Sequence, residues 1–221
     1  LHDHTTLIKA HYGRHNDLGN AGIADYTNPT QTSILQRWNP ATQRFDEVRR
    51  SGGLGTQRFA TDVNLSPPSV DEVSAGIHRQ ILDEAAVGMD YTYRHYGNLW
   101  VNEEVNQIWD PAGTRIVGYV NGERQRIFVA STPSEAKREY HGLDLWVRGN
   151  PGNWDLMASY TLAFLNGTVN DFFESNGFGA NPRLNPLYMG PISGAYRHYL
   201  KALVDSIFDF GLTIGGRLQH Y

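Results

Sequence analysis

The chain has 221 residues, 40% of them hydrophobic and 12% aromatic, with a formal net charge of -4. That supply of core-forming side chains excludes a disordered polymer, and the 19 Lys and Arg are scattered among 23 Asp and Glu without a basic patch, which excludes nucleic acid as a partner. The absence of cysteine removes disulfides, thiol catalysis and Cys-based zinc sites, and no run approaches the ~18 apolar residues of a helical membrane span.

A membrane β-barrel would leave no such run, because its strands alternate polar and apolar residues. Residues 5–14 alternate in this way, with Ile8, Ala10 and Tyr12 on one parity and Lys9, His11 and Gly13 on the other, and read as a first strand. The pattern is then lost from about 15 to 69 in Asn, Gly, Thr, Pro and charge, an unusually long connection of the kind that carries function. It returns at 72–81 with Val73, Ala75 and Ile77, and after a short turn at 82–85 continues to Tyr96 with Val87, Met89, Tyr91 and Tyr93 opposite Gly88, Asp90, Thr92 and Arg94. These two strands form a hairpin.

Residues 97–139 make a second long connection. Within it, 114–120 and 125–130 flank Asn121-Gly122 and predict a tight hairpin, and Thr132-Pro-Ser-Glu135 predicts a capping box that starts a short helix through Arg138. Next, 140–148 set Leu143, Leu145 and Val147 against Asp144, Trp146 and Arg148. Past a Pro-Gly turn in 149–153, the longest pattern of all puts Trp154, Leu156, Ala158, Tyr160, Leu162 and Phe164 on one face and Asp155, Ser159 and Thr161 on the other. A third long connection, 166–196, precedes strands at 198–208 and 212–221 joined by Asp209-Phe-Gly211.

Seven strands therefore alternate strictly between short and long connections. Outer-membrane barrels segregate loop length in this manner, with short periplasmic turns and long extracellular loops. The fold class expected is all-β: an antiparallel up-and-down meander forming part of a large transmembrane β-barrel. The apolar parity then faces lipid, with Tyr12, Tyr93 and Trp100 as outer girdle residues and Trp154 and Phe208 as inner ones. The polar parity puts Asp90, Arg94, Asp144, Arg148, Asp155, Lys201, Asp205 and Arg217 toward the lumen, where a cross-strand charge ladder is the plainer alternative to an ion or ligand path. Because recognition is built on loops, Trp38, Tyr26, Trp109, Tyr119, Phe172, Phe173 and Phe178 are the candidates for ligand capture, against ordinary loop packing for each.

Segments 64–77 (Asn-Leu-Ser-Pro-Pro-Ser-Val-Asp-Glu-Val-Ser-Ala-Gly-Ile), Tyr91–Trp100, Trp109–Tyr119, Glu139–Trp146, Ala158–Gly167 and Asn181–Pro186 resemble TonB-dependent outer-membrane receptors, in particular their Oar-like, OmpA-related subgroup. The resemblance runs over roughly residues 5 to 221. It implies a barrel of about 22 strands with a plugged lumen, a location in the bacterial outer membrane in contact with its lipid, an unidentified bulky ligand, and a TonB complex that would act through upstream sequence. The chain would be one piece of such a barrel, covering 1–221 with two unpaired edges.

No catalytic role is expected. Asp90 with His78 invites comparison with barrel hydrolases, but no serine stands in a Gly-x-Ser-x-Gly setting. His2-Asp3-His4 lacks a third ligand at fixed spacing, so no metal site is assigned. Ser51–Thr56 is Gly-rich without the Gly-Lys-Ser/Thr ending of a phosphate loop, and no cofactor is expected. The rival reading from another class is a soluble, secreted β-rich binding module, such as one for carbohydrate.

Overall fold

The computed structural model describes residues 5–17, 32–52, 59–170 and 177–221. The strands in chain order are β1 (Thr6–Asn16), β2 (Thr32–Asn39), β3 (Arg44–Gly52), β4 (Phe59–Thr61), β5 (Ser69–Leu82), β6 (Ala85–Gly97), β7 (Val101–Glu104) and β8 (Gln107–Trp109). They continue as β9 (Ile116–Tyr119), β10 (Phe128–Ser131), β11 (Arg138–Gly149), β12 (Trp154–Gly167), β13 (Gly190–Pro191), β14 (His198–Ile207) and β15 (Thr213–His220), with a 3-10 helix at Pro182–Tyr188.

The main sheet follows chain order without a crossover, β1-β5-β6-β11-β12-β14-β15, with the short β13 added to the end of β12. Every neighbouring pair along it is antiparallel. The period-two residues set the register. Ile8, Ile77, Met89, Leu145, Tyr160 and Leu200 form one row on one face, and Lys9, Gly76, Asp90, Asp144, Thr161 and Tyr199 form a row on the other.

The three short turns lie at one end of the sheet. Glu84 O accepts from Asn150 N across 2.8 Å, which ties the first turn to the second. In the third turn, Gly211 takes φ 87, a left-handed conformation that favours glycine. The long connections 17–68, 98–137 and 168–197 all leave from the opposite end.

Among the described residues, nothing covers the apolar face of the sheet. Leu145, Leu156, Val204 and Ile214 are all exposed, with Ile214 at 56%. Among the described residues no strand of the three small sheets packs across them. The chain's accessible surface is 14997 Å², against the roughly 10,000 Å² that a globular monomer of this mass would retain.

The buried cluster that does exist lies off the sheet, in the long connections: Leu99, Val101, Ala136, Val169 and Phe178, with Tyr96 packed against it. Around it β4, β10 and β7 form one small sheet and β8 pairs β9. All three long connections thus contribute to an ordered cap over the strand ends.

Several local expectations change. The region 15–69 is not structureless throughout, since β2 and β3 pair as a hairpin with a register shift at Leu35/Gln36. Their exposed apolar residues Ile34, Leu35, Trp38, Phe45 and Val48 fall on both parities, so the strands carry no period-two signal. The strands flanking Asn121-Gly122 exist, but β9 pairs β8 and β10 pairs β7 and β4.

The reason is local hydrogen bonding. Asn106 Nδ2 donates to Glu123 O at 3.1 Å and Gln125 O at 2.8 Å, while its Oδ1 accepts from Asn121 N at 2.9 Å, so the intervening chain wraps around Asn106. The expected helix at 132–138 is a single turn, Ala136 N to Pro133 O at 3.0 Å, before β11 begins. Thr168 takes over its ends, donating to Glu135 O at 2.6 Å and accepting from Lys137 N at 3.1 Å, so tertiary bonds override the capping signal. Trp100 is buried at 6%, with its indole N–H on Ser66 O at 2.7 Å, and belongs to the cap and not to a surface girdle.

Candidate functional site

Two regions bring chemistry-bearing side chains together: the polar face of the sheet, and the cap.

The register puts Asp90, Arg94, Asp144, Arg148, Asp155, Lys201, Asp205 and Arg217 on one face, opposite the leucines. Asp90 is the hub. Its carboxylate meets Lys9 Nζ at 2.9 Å, His78 Nε2 at 3.0 Å and the indole N–H of Trp146 at 3.1 Å, so donors arrive from three neighbouring strands. Glycines make the room. A Cβ on Gly76 would stand 2.1 Å from Asp90 Oδ1, and one on Gly88 would stand 2.2 Å from the Trp146 ring that lies across it.

Beside this hub Arg94 donates to Glu72 at 2.6 Å and sits 5.5 Å over the Tyr140 ring. Asp144, the register neighbour of Asp90, accepts a short hydrogen bond from Thr161. Asp155 faces Asp205 across the strand pair. Arg148, Asp155, Lys201, Asp205 and Arg217 share the face but enter no ion pair among the described residues. The partners Lys9, Glu72 and Trp146 were not singled out by sequence reading, although the lysine and the indole stand on the polar parity of their strands.

The loop aromatics are dispersed. Trp38 on β2 is 49% exposed and meets Phe45 edge-on at 5.1 Å. Trp109 and Tyr119 lie on the β8/β9 hairpin, both half-buried. The Trp109 indole N–H is buried without a hydrogen-bond partner. Phe178 has 0% exposure and forms the centre of the cap's core, so burial removes it as a direct ligand contact. Tyr26, Phe172 and Phe173 lie outside the described residues.

The cap is held by polar groups as much as by its core. Glu104, 2% exposed, accepts from three backbone N–H groups: Asn106 at 3.0 Å, Gln107 at 2.7 Å and Ile127 at 3.1 Å. Asn181 Nδ2 donates to Gly113 O at 2.8 Å, and Glu104 N donates to Gly179 O at 2.9 Å, so the third connection is locked to the second. At the tip of β8/β9, Asp110 accepts from the N–H and hydroxyl of Thr114 and from Arg115 N. These hydrogen bonds hold the Asp110 carboxyl below the ordinary carboxylate range.

On the apolar face two polar pairs recur in the same geometry. Tyr91 and His141 Nδ1 are 2.7 Å apart, as are Tyr160 and His198 Nδ1. Each hydroxyl meets the Nδ1 of an imidazole on this face. Toward the long connections this face closes with ion pairs, Arg14 to Asp71 at 2.6 Å and His95 to Glu139 at 3.8 Å. A recess of about 730 Å³ at the short-turn end, where Ala85, Gly149, Ala158 and Ala202 sit among Val147, Leu156 and Val204, is mostly apolar, with Asp83, Glu84 and Arg148 also in its lining.

The sequence matches no protein-family model and no curated protein. Solved structures do match. The outer membrane transporter YddB from Escherichia coli aligns with 92% of the chain at 14% identity and a TM-score of 0.53. The FrpB iron transporter from Neisseria meningitidis (F3-3 variant) aligns with 72% of it at 12% identity and a TM-score of 0.44. The chain spans 24% of the first and 20% of the second. At such identities the YddB likeness speaks for fold. The chain is an antiparallel up-and-down meander of the kind found in transmembrane β-barrel transporters.

Proposed function

We propose that this chain is a section of a TonB-dependent outer-membrane receptor barrel, of the Oar-like kind. In this reading the apolar face meets lipid, the polar face lines a lumen, and the loop cap presents the ligand-binding surface. The observation that carries it is the combination of an unbroken antiparallel meander, an uncovered apolar face and connections that alternate short and long.

The dimensions agree. From Trp154 to Phe164, the ends of the apolar parity on β12, the strand rises about 33 Å at ~3.3 Å per residue. Tilted by about 40°, that becomes ~25 Å, the height of an outer-membrane apolar band. Across that band each Tyr hydroxyl engages the Nδ1 of its histidine, which lowers the cost of placing both groups in hydrocarbon. On the other face, the Asp90 hub and the unpaired charges suit a hydrated interior that contacts a plug or a passing ligand.

The ligand is bulky and enters from the cap side; its energised passage through a plugged barrel, with a TonB complex as partner, follows from the sequence resemblance. The first test is cell fractionation of the full-length protein carrying this chain, followed by protease shaving of intact cells. Recovery in the outer membrane with cleavage in 98–137 or 168–197 is the expected result. Recovery in a soluble fraction would replace this reading with a secreted binding module.

A further inference from the structure

Toward the long-connection end of β1, the polar face brings two histidines together over a glycine. His11, Gly13 and His15 share one parity of the strand and pair with Ser74, Glu72 and Val70 of β5 in turn. Four residues of strand separate the two histidine Cα atoms by about 13 Å at ~3.3 Å per residue, a gap that the intervening side chain on the same face would ordinarily fill. Gly13 leaves it open. The point where a Cβ on Gly13 would stand lies 2.9 Å from His11 Cε1, 3.5 Å from His11 Nε2 and 3.2 Å from His15 Nε2, so both imidazoles lean inward and present a ring nitrogen to the same space.

The residue directly across the strand pair adds a third element. Glu72, the register partner of Gly13, puts Oε1 4.0 Å from His11 Nδ1, while its Oε2 accepts from Arg94 Nε at 2.6 Å. His11 therefore turns its Nδ1 toward an anchored carboxylate and its Nε2 toward His15. A carboxylate behind the second ring nitrogen is what fixes the tautomer and orientation of a metal-ligating imidazole. Paired imidazoles suit Cu²⁺, Ni²⁺ and Zn²⁺, whereas Ca²⁺ and Mg²⁺ ask for oxygen ligands. Among the described residues no three His, Asp or Glu side chains form a ready metal-holding group, so the wall supplies two ligands and leaves the other coordination positions open.

We infer that His11 and His15 form a two-imidazole site for a divalent ion of the late first transition row, with Glu72 as a positioning carboxylate and Gly13 as the source of the space. Loading draws each Nε2 to ~2.0 to 2.1 Å from the ion. It also fixes the His11 proton on Nδ1, where Glu72 can accept it. Water, or donors from whatever occupies the space before the polar face, fills the open positions. The inference goes beyond the receptor reading and does not rest on it.

The test is calorimetric titration of the full-length protein, prepared without a histidine tag, in detergent micelles with Ni²⁺, Cu²⁺ and Ca²⁺ as separate probes. One equivalent of Ni²⁺ should bind through this site, Cu²⁺ should bind there more tightly, and Ca²⁺ should not compete. His11→Ala and His15→Ala should each remove that equivalent, and His220→Ala on β15 should leave it in place. Glu72→Gln, which keeps an acceptor for Arg94, should weaken it roughly tenfold. Gly13→Ala removes no ligand, yet should weaken it while the thermal midpoint of the metal-free protein stays unchanged. Electron paramagnetic resonance of the Cu²⁺-loaded protein should show splitting from two imidazole nitrogens.

Survival of the Ni²⁺ equivalent in the His11→Ala, His15→Ala double variant, displacement of Ni²⁺ by Ca²⁺, or splitting from a single nitrogen overturns the site. Absence of binding by protein that fractionates to the outer membrane overturns the site and leaves the receptor reading in place, whereas binding by protein recovered in a soluble fraction keeps the site and removes that reading.

Discussion

The indole N–H of Trp146 reaches Asp90 across the β6/β11 pair at 3.1 Å, and its ring lies flat over Gly88 and edge-on to His78 at 4.9 Å. One glycine therefore decides whether the polar hub assembles. Gly88→Ala is expected to force the Trp146 ring off Asp90, costing about 1 to 3 kcal/mol as an overpacked site does. Trp fluorescence should redden, and the thermal midpoint in detergent should fall. Gly118→Ala, on the β8/β9 hairpin where the nearest atom is at 3.5 Å, serves as the matched control.

The lipid-facing assignment is tested at Leu145, an exposed residue on β11 midway along the apolar band. Leu145→Arg should cost about 2 to 4 kcal/mol if the residue meets the bilayer midplane, measured as the urea midpoint for folding into phospholipid vesicles. On a water-facing sheet the same change would stay within about 0.5 kcal/mol.

The Tyr-His pairs give a second, independent reading of the same face. Tyr160→Phe removes the hydroxyl from His198 Nδ1 and Tyr91→Phe does the same to His141. In hydrocarbon, each stranded imidazole should lower stability by about 1 to 3 kcal/mol. Equality of wild type and the double variant in vesicle unfolding would mean that water reaches both histidines.

Glu104 organises the cap through three backbone donors. Glu104→Ala should release the amides of 106, 107 and 127 to fast hydrogen exchange while leaving the amides of β11 and β12 protected, because the cap has its own buried cluster and the sheet is held by its own backbone ladder. Loss of protection in both regions at once would show that they unfold as one unit.

Asp110 supplies a pH-dependent clasp. Its folded-state value lies below its unfolded one, so its contribution is present above the ordinary carboxylate range and is lost as pH falls through the folded value. Hydrogen exchange at Thr114 and Arg115 should accelerate as pH falls through that range, after correction for intrinsic rates. Asp110→Asn should remove the acid-dependent step.

The seven long strands were legible because each must sort greasy from wet residues at every second position, and Trp154 to Phe164 does so without a break. What sequence reading missed depends on partners distant in the chain. The 121–127 segment reads as a hairpin turn until Asn106 claims its backbone, and Thr132–Glu135 reads as a helix start until Thr168 binds both sides of it. On the polar face, parity told which charges share a surface, but the convergence of Lys9, His78 and Trp146 on Asp90 needed the cross-strand register. Phe178 shows the converse, since an aromatic residue in a loop looked available and proved to be core.

The bond from Asn181 to Gly113 joins chain positions 68 residues apart, and Gly113 packs so closely on Arg183 and Leu184 that an added Cβ would come within 3.1 Å of both. The cap at this point is therefore a mosaic of two loops. An antibody that reads this mosaic would fail on a denatured blot, and immunisation with a peptide from either loop alone would miss the shape that the folded protein displays.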